Sequence, residues 1–369
     1  MPLAVANLRA GAKKKVLAIN FGGIGDEILF LPTLESIRKA VPDCHVTLLL
    51  EPRSRSVEQV SQLIDRTVTF DIKKRPLYVA DLIQLLGLIR DGGYDLVVSS
   101  GSSKVVSILL FLSGIPVRVG YHSGKLSEIL LTSPVALNKE QYAANMYHDL
   151  ATGLGAAVAS ATECIPSIDV REESLQRMME LLETNATAGK DSKIKRVIIH
   201  PGTSKLAIEK GIIKTWHPQN WAKLIQLLAD QGGVEILLAG GPDDAEIVAE
   251  IIKLAPKKAP LINCYGKTKS LADLAALMHL SDLLVCVDSA PMHLGVGLRK
   301  PMVALFGPTE VKKLLPNDVR FKALQGTISG AATSGSGSQP QDERGVQLQP
   351  NTVFRSVQDQ LKAVTDQGS

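Results

Sequence analysis

The stretch Val287-Asp288-Ser289-Ala290-Pro291-Met292-His293 follows an apolar run at 283–287, and a second apolar run at 301–306 leads into Gly-Pro-Thr. Short apolar runs joined by a helical segment are typical of buried strands in a parallel α/β sheet. In such a sheet, the carboxyl ends of the strands and the first turns of the following helices line the ligand crevice. The acid, hydroxyl and imidazole of the stretch are therefore expected beside helix amides that favour an anion. This arrangement suits a phosphorylated ligand rich in hydroxyl groups.

The same alternation of strand-like and helix-like segments extends outward through both halves of the chain. In the first half, the patterning predicts strands at 15–20, 45–50, 67–71, 95–99 and 117–119. In the second half, it predicts strands at 196–200, 234–239, 261–263, 283–287 and 301–306. Strands that alternate with helices indicate βαβ units and a parallel sheet in each half.

We therefore predict an α/β protein with two Rossmann-like domains, at residues 1–185 and 186–325, whose parallel sheets face a central cleft. A chain of 369 residues is long enough for two such domains with separate cores. Residues 326–345 are rich in Gly, Ser, Thr and Gln, which predicts a flexible loop. Residues 352–367 have the spacing of a final amphipathic helix.

Charge and cysteine content narrow the class of protein. The 41 basic and 37 acidic residues leave a net charge of only +4, and no stripe of basic and aromatic residues supports a nucleic-acid partner. Basic clusters at Arg9, 13–15 and 73–75 are either solvated surface or a contact with an anionic membrane face. The 4 scattered cysteines lack C-x-x-C spacing, which predicts a reducing compartment without a zinc site. With no apolar leader or membrane-spanning run, we expect a cytoplasmic protein, at most peripheral on the inner face of the membrane.

The glycine-rich turn at 20–27 is the first candidate site. Gly22, Gly23 and Gly25 would let the backbone approach a ligand closely between a strand and a helix. A dinucleotide fingerprint would need glycine three positions after Gly25, where isoleucine stands, and Asp26 would repel a pyrophosphate. Two interpretations of Asp26 remain: a helix N-cap, or a general base that takes a proton from an attacking hydroxyl.

Two segments of the second half could bind a diphosphate. The turn at 200–205 offers the hydroxyls of Thr203 and Ser204 together with free amides, although it could equally be a plain loop. Lys214 lies just before a helix that begins near Pro218, where the helix dipole disfavours a cation. An anionic ligand explains this lysine better than the alternative, a solvated loop.

Two further residues are candidates on chemistry alone. Asp243 and Asp244 follow a Gly-Gly turn and could cap a helix or bind ribose hydroxyls; we favour capping for Asp243 and leave Asp244 open. His293 has no metal-ligating residue four positions before or after it. We expect a hydrogen-bonded histidine on the crevice wall and no metal site.

Taken together, Phe-Gly-Gly-Ile-Gly-Asp-Glu at 21–27, Lys-x-Trp at 214–216, Asp-Ser-Ala-Pro-Met-His-Leu at 288–294 and Leu-Phe-Gly-Pro-Thr at 305–309 resemble glycosyltransferase family 9. This is the family of ADP-heptose:lipopolysaccharide heptosyltransferases. The resemblance implies a GT-B fold, with the acceptor bound mainly by the first domain and the nucleotide-sugar by the second. It also implies that the final helix packs back on the first domain.

The resemblance assigns roles to individual residues. It implies that Asp26, beside the acceptor-side glycines, is the general base and that Lys214 binds the donor phosphates. The donor-binding residues that it implies are Thr203, Ser204, Lys214, Asp244, Asp288, Ser289, Ala290 and His293.

The expected activity is inverting, metal-independent transfer of heptose or a related sugar to a cell-envelope glycan such as lipopolysaccharide core. The donor expected from the resemblance is an ADP-sugar, which is a substrate, so no cofactor is expected. Ala290 stands where the family has glycine, and the segment 206–211 is longer than in the family. These departures leave a non-catalytic sugar-nucleotide-binding relative as one alternative, and a nicotinamide-dependent oxidoreductase is the other.

Overall fold

The structure is a computed structural model that describes residues 13–73, 78–155, 164–186, 194–205, 207, 212, 214–328 and 345–367. The chain divides into two compact units, Met1–Ser167 and Ile168–Ser369. Each unit is built on its own six-stranded parallel sheet. The predicted α/β class with two parallel sheets is therefore confirmed.

In the first unit, strands and helices alternate along the chain as the sequence indicates. The strands are β1 (Lys15–Ile19), β2 (His45–Leu50), β3 (Arg66–Thr69), β4 (Leu96–Ser99), β5 (Val117–Tyr121) and β6 (Ser133–Val135). The helices are α1 (Ile24–Ala40), α2 (Val79–Asp91), α3 (Lys104–Leu112), α4 (Lys125–Leu130) and α5 (Ala143–Thr152), with a 3₁₀ segment at Pro52–Val60. The strand order is β3-β2-β1-β4-β5-β6.

Helices bury the central strands of this sheet. Leu17, Leu49 and Val97 project from neighbouring strands into one core cluster. Leu85 of α2 and Leu110 of α3 lie in the same cluster and are fully or almost fully buried. Strands covered in this way read as continuous apolar runs, which is the pattern that the sequence shows.

The second unit repeats the architecture. Its strands are β7 (Lys195–His200), β8 (Val234–Leu238), β9 (Leu261–Asn263), β10 (Leu283–Val287), β11 (Met302–Phe306) and β12 (Phe321–Gln325), with a small hairpin of β13 (Thr327–Ile328) and β14 (Val346–Gln347). Its helices are α6 (Glu172–Asn185), α7 (Pro218–Gln231), α8 (Ala245–Leu254), α9 (Leu271–His279), α10 (Ala290–Gly297), α11 (Val311–Leu314) and α12 (Pro350–Gln367), with a 3₁₀ segment at Pro242–Asp244. The sheet order is β12-β11-β10-β7-β8-β9.

The strand order puts one topological switch point in each sheet. β1 pairs with β2 on one side and β4 on the other, and β7 pairs with β8 on one side and β10 on the other. The strand order therefore reverses direction at β1 and at β7. Ligands of open α/β sheets bind outside the carboxyl ends of strands at such points. The glycine-rich turn follows β1, and the turns at 201–205 and 288–289 follow β7 and β10.

The predicted domain boundary needs correction. The division falls after Ser167 rather than after residue 185, so α6 belongs to the second unit. Met178 and Leu182 of α6 are buried. Arg177 of α6 donates to Asp273 of α9 at 2.6 Å, between the guanidinium nitrogen Nη2 and the carboxylate oxygen Oδ1.

The final helix, which the resemblance implies packs back on the first domain, contributes its apolar face to the core of the second unit. Val353, Val357 and Leu361 of α12 lie in the main core cluster of the second unit, with Trp216. The indole nitrogen of Trp216 also donates to the carbonyl of Leu348, just before the helix, at 3.0 Å. An amphipathic pattern predicts an apolar face but not the surface that covers it.

The predicted flexible loop at 326–345 begins with structured backbone, because Thr327–Ile328 pairs antiparallel with Val346–Gln347. Residues 329–344 of that loop lie outside the described residues.

Candidate active site

The glycine-rich turn of the first unit is shaped around Asp26. Gly23 is the N-cap of α1, and its amide donates to Asp26 Oδ2 at 2.8 Å. A Cβ on Gly22 would lie 2.2 Å from the Asp26 Cβ, so a side chain there would displace the carboxylate. Asp26 is thus the third helical residue, whose carboxylate closes the turn from within the helix, and not the N-cap itself.

Tyr147 of α5 is a second partner of Asp26. Its hydroxyl donates to Asp26 Oδ1 at 3.2 Å. Burial, together with the nearby Asp26 charge, raises the pKa of Tyr147 above its ordinary value, so the phenol stays protonated and donates. Each carboxylate oxygen can accept more than one hydrogen bond, so Asp26 is held by two donors and still has acceptor capacity for a ligand.

A cavity of about 410 Å³ opens beside this carboxylate. We call it the Asp26 cavity, and its polar lining includes Asn20, Asp26, Lys73, Ser100, Lys139 and Tyr147. The Ser100 hydroxyl donates to Asn20, which fixes the amide at the cavity wall. Lys73 and Lys139 are exposed, so the cavity combines one carboxylate held by hydrogen bonds with two exposed cations.

Glu27, next to Asp26, has a different environment. The side chain is fully buried, and Oε1 accepts from the amide of Gly22 at 3.3 Å. Burial, with a smaller contribution from the Asp26 charge, raises the pKa of Glu27 well above its ordinary value. Glu27 therefore supports the turn from the protein interior, and Asp26 is the carboxylate that lines the cavity.

In the second unit, Lys214 and Asp288 form an ion pair. The ammonium nitrogen of Lys214 lies 2.8 Å from Asp288 Oδ2, and the Asp288 side chain is only 2% exposed. The hydroxyl of Thr309 donates to the same oxygen at 2.5 Å. The structure thus brings together two predicted donor-site residues from distant segments and adds Thr309, from the Gly-Pro-Thr turn after β11.

Ser289 and Ala290 begin the next helix. Ser289 is the N-cap of α10 with extended backbone, and Ala290 is its first residue. The amides of the first turn of a helix lack partners within the helix and carry a partial positive charge. His293 is buried on the same helix. The beginning of α10 therefore adjoins the Lys214–Asp288 pair in sequence and offers amides to an anion.

Asp244 connects the turns that follow β7 and β8. It accepts from the amide of Gly241 at 2.7 Å, and a Cβ on Gly202 would lie only 1.7 Å from its Oδ1. Asp243 instead accepts from the backbone amide of Lys205 at 3.1 Å. The capping role expected for Asp243 thus belongs to Asp244, and Asp243 joins the two turns.

Burial shifts the pKa values of two side chains at these turns. It raises the pKa of Asp244 to about 6 and lowers the pKa of His200, at the end of β7, to about 4. The His200 Nε2 to Asp244 Oδ2 distance is 3.9 Å, but at neutral pH the imidazole is uncharged and no ion pair forms.

The predicted hydroxyls of the β7 turn differ in environment. Thr203 is buried at 7% exposure, whereas Ser204 is exposed. The approach to Lys214 falls mostly outside the described residues, since only 205, 207 and 212 are described between 204 and 214. Within the described parts of the chain, no three His, Cys, Asp or Glu side chains are grouped in a way that could hold a metal ion.

Comparison with known proteins identifies the class to which this fold and these turns belong. The model of glycosyltransferase family 9 (heptosyltransferase) matches residues 83–339, well over half of the chain. The chain therefore belongs to glycosyltransferase family 9, which confirms the resemblance seen in its motifs.

Individual relatives agree with this assignment. Lipopolysaccharide heptosyltransferase 3 of Escherichia coli is 26% identical over 297 residues, which cover 78% of this chain and 81% of the relative. Among solved structures, a family 9 glycosyl transferase from Veillonella parvula has a TM-score of 0.73 at 23% identity, covering 95% of this chain and 97% of the other. An E. coli heptosyltransferase with ADP-2-deoxy-2-fluoro heptose has a TM-score of 0.65 at 18% identity, covering 94% and 99%. These likenesses confirm the GT-B fold.

Proposed function

We propose that this protein is an inverting glycosyltransferase that moves heptose or a related sugar from an ADP-sugar to a hydroxyl of a cell-envelope glycan such as lipopolysaccharide core. The observation that carries the proposal is the Asp26 carboxylate, held by Gly23 and Tyr147 beside a cavity large enough for a sugar. Family membership supports glycosyl transfer. The inverting course, the donor and the acceptor are part of the proposal.

Asp26 acts as the general base. As the acceptor oxygen attacks the anomeric carbon, its proton passes to the carboxylate. The bond from that carbon to the diphosphate oxygen breaks on the opposite face, and the electron pair leaves with the nucleoside diphosphate. Because an aspartate is a weak base for a free alcohol, proton transfer and attack are concerted.

Lys214 neutralises the leaving diphosphate. In the structure its ammonium is held by Asp288, and we propose that the donor phosphates take over this cation with help from Ser289 and the first amides of α10. Asp288 then orients sugar hydroxyls beside His293. A lysine in this role needs no metal ion, so the proposed mechanism has neither metal nor cofactor.

The nucleoside lies, in this proposal, against the β7 and β8 turns. Thr203 and Ser204 supply hydroxyls to the diphosphate, and Asp244 accepts hydrogen bonds from the ribose. The solved heptosyltransferase that contains an ADP-sugar analogue supports adenosine as the nucleoside.

The acceptor is an anionic glycan. Lys73 and Lys139 line the Asp26 cavity, where they would attract phosphate or carboxylate groups of an acceptor.

Among the described helices, none is both long and apolar enough to cross a membrane. We place the protein in the cytoplasm, peripheral on the inner face of the membrane, where a lipid-linked acceptor would be found. Of the basic clusters that suggested this contact, Lys13–Lys15 and Lys73 are described, whereas Arg9 and residues 74–75 lie outside the described residues.

The two alternative functions, an oxidoreductase and a non-catalytic binding protein, do not explain the position of Asp26. A dinucleotide would need the space over the glycine turn that the Asp26 carboxylate fills, which argues against an oxidoreductase. A binding protein without catalysis has no need for Asp26 beside the cavity.

The substitution Asp26→Asn separates catalysis from binding. It keeps an acceptor for the Gly23 amide but removes the base, so we expect no measurable transfer and an ADP affinity within a few-fold of the wild type. Asp230→Asn, which changes an exposed carboxylate of α7 in the second unit, is the matched control. Undiminished sugar transfer by the Asp26→Asn variant would contradict the proposed role.

A further inference from the structure

The first unit carries most of the exposed large apolar side chains of the described residues, and the densest group lies on two adjacent helices. On α3, the side chains repeat at helical spacing along the outer face. The group, which we call the α3–α4 patch, consists of Val105, Ile108, Phe111, Leu112, Leu126 and Ile129. Ile129 is 75% exposed and Val105 54%. A contiguous apolar patch of this kind on a globular protein marks an interaction surface.

The charges beside the patch indicate its partner. Lys104 is the first residue of α3 and Lys125 the first residue of α4, and both are exposed. A cation at a helix N-terminus opposes the helix dipole, so neither lysine is placed there for helix stability. The guanidinium of Arg118 lies 5.6 Å from the centre of the Phe111 ring, at the edge of the same surface. Apolar side chains with cations at their edge are the pattern that binds anionic lipid interfaces.

The position of α3 connects this patch with the proposed reaction. Val106, Leu109 and Leu110 on the inner side of α3 line the Asp26 cavity, whereas Val105 and Ile108 face outward. The patch and the Asp26 cavity therefore lie on opposite faces of one helix, which is about 10–12 Å in diameter. A lipid-linked glycan whose acyl chains remain in a bilayer would need to extend only about this distance to reach the cavity.

We propose that the α3–α4 patch is the surface by which this protein binds a bilayer with anionic headgroups, with the apolar side chains inserted and Lys104 and Lys125 at the headgroups. The proposal rests on the proposed function only for the acceptor's route to Asp26. Glu128, the acid on α4, forms a hydrogen bond with His122 at 2.9 Å.

The test is flotation of the full chain with vesicles of phosphatidylethanolamine and phosphatidylglycerol, compared with pure phosphatidylcholine vesicles. We expect binding to the anionic vesicles that decreases with salt. The double variant Val105→Ser/Ile129→Ser should lower the partition coefficient at least about tenfold, since each buried methylene contributes to interfacial binding. Lys104→Glu/Lys125→Glu should lower it by a similar factor on anionic vesicles only.

Matched controls lie in the second unit. Val319→Ser removes an apolar side chain that is 85% exposed, and Lys257→Glu reverses an exposed charge; both should bind vesicles as the wild type does. Wild-type protein that stays with the soluble fraction would overturn the proposal, as would patch variants that float unchanged. Concentration-dependent dimerisation lost in Val105→Ser/Ile129→Ser would also overturn it, by assigning the patch to a second copy of the chain.

Titration of the same preparations with ADP distinguishes a failure of the membrane-binding proposal from a failure of the proposed function. Normal ADP binding by a wild type that does not float would reject the membrane surface and leave the proposed function standing. Flotation without any nucleotide binding would reject the proposed function and keep the surface.

Discussion

Replacing Lys214 with alanine separates the two roles that its ammonium group has in this account, neutralising Asp288 and binding the donor diphosphate. The Asp288 side chain is 2% exposed and that of Lys214 17%, so the variant leaves a buried carboxylate with the Thr309 hydroxyl still donating to it. Breaking a fully buried pair costs about 3–5 kcal/mol, and partial exposure of the lysine reduces our expectation to about 2–3 kcal/mol of unfolding free energy. Loss of a charged contact to the diphosphate should weaken ADP binding about 10- to 30-fold.

The double variant Lys214→Ala/Asp288→Asn distinguishes the two effects. Without the buried charge, it should regain at least about 1 kcal/mol of unfolding free energy over the single variant, whereas its ADP affinity should stay low. Urea unfolding and calorimetric titration measure the two quantities, and Lys223→Ala, an exposed lysine of α7, is the control. A double variant as unstable as Lys214→Ala, or one that regains ADP binding together with stability, would refute the reasoning.

Three further predictions concern other residues of the candidate site. Tyr147→Phe removes the hydrogen bond to Asp26 Oδ1, so we expect kcat to fall about 10-fold with unchanged ADP affinity, and steady-state kinetics that show only a raised KM would contradict this. Gly22→Ala puts a Cβ 2.2 Å from the Asp26 Cβ and should lower the transfer rate about 100-fold, whereas Gly87→Ala, with nothing within 4 Å of its Cβ, should transfer normally. The raised pKa of Asp244, about 6, stabilises the fold below the unfolded pKa, and this contribution is lost as pH rises through 6. Between pH 4 and pH 7 the unfolding free energy of the wild type should therefore fall about 2–3 kcal/mol relative to that of Asp244→Asn, and parallel stability curves would contradict this.

Most of the fold was predictable because helices bury the central strands on both faces. Two of the four edge strands, β6 and β12, were missed for identifiable reasons. β6 is three residues long and contains Pro134, and β12 mixes buried, partly buried and exposed positions instead of forming an apolar run. Patterning also could not assign α6 and α12 to a unit, since the partner of an apolar face is decided by tertiary packing.

The candidate site divides in the same way. Asp26 and Asp288 follow strand ends and Lys214 precedes a helix. Each lies in a short motif whose chemistry can be predicted from its neighbours in sequence. Tyr147 stands in no motif and meets Asp26 across 121 positions, so only the folded chain shows the contact. The capping contact belongs to Asp244 and not to Asp243 because the two lie in the 3₁₀ turn at Pro242–Asp244, where a step of one residue rotates the side chain by about 120°.

The central claim is that the second unit binds a nucleoside diphosphate sugar through Lys214 without a metal ion. Its most direct test is calorimetric titration of the wild type with ADP, UDP and GDP in the presence of a chelator, repeated with Lys214→Ala. The account predicts selective ADP binding that the substitution weakens. Failure of all three nucleotides to bind, or binding that requires a divalent cation, would contradict it.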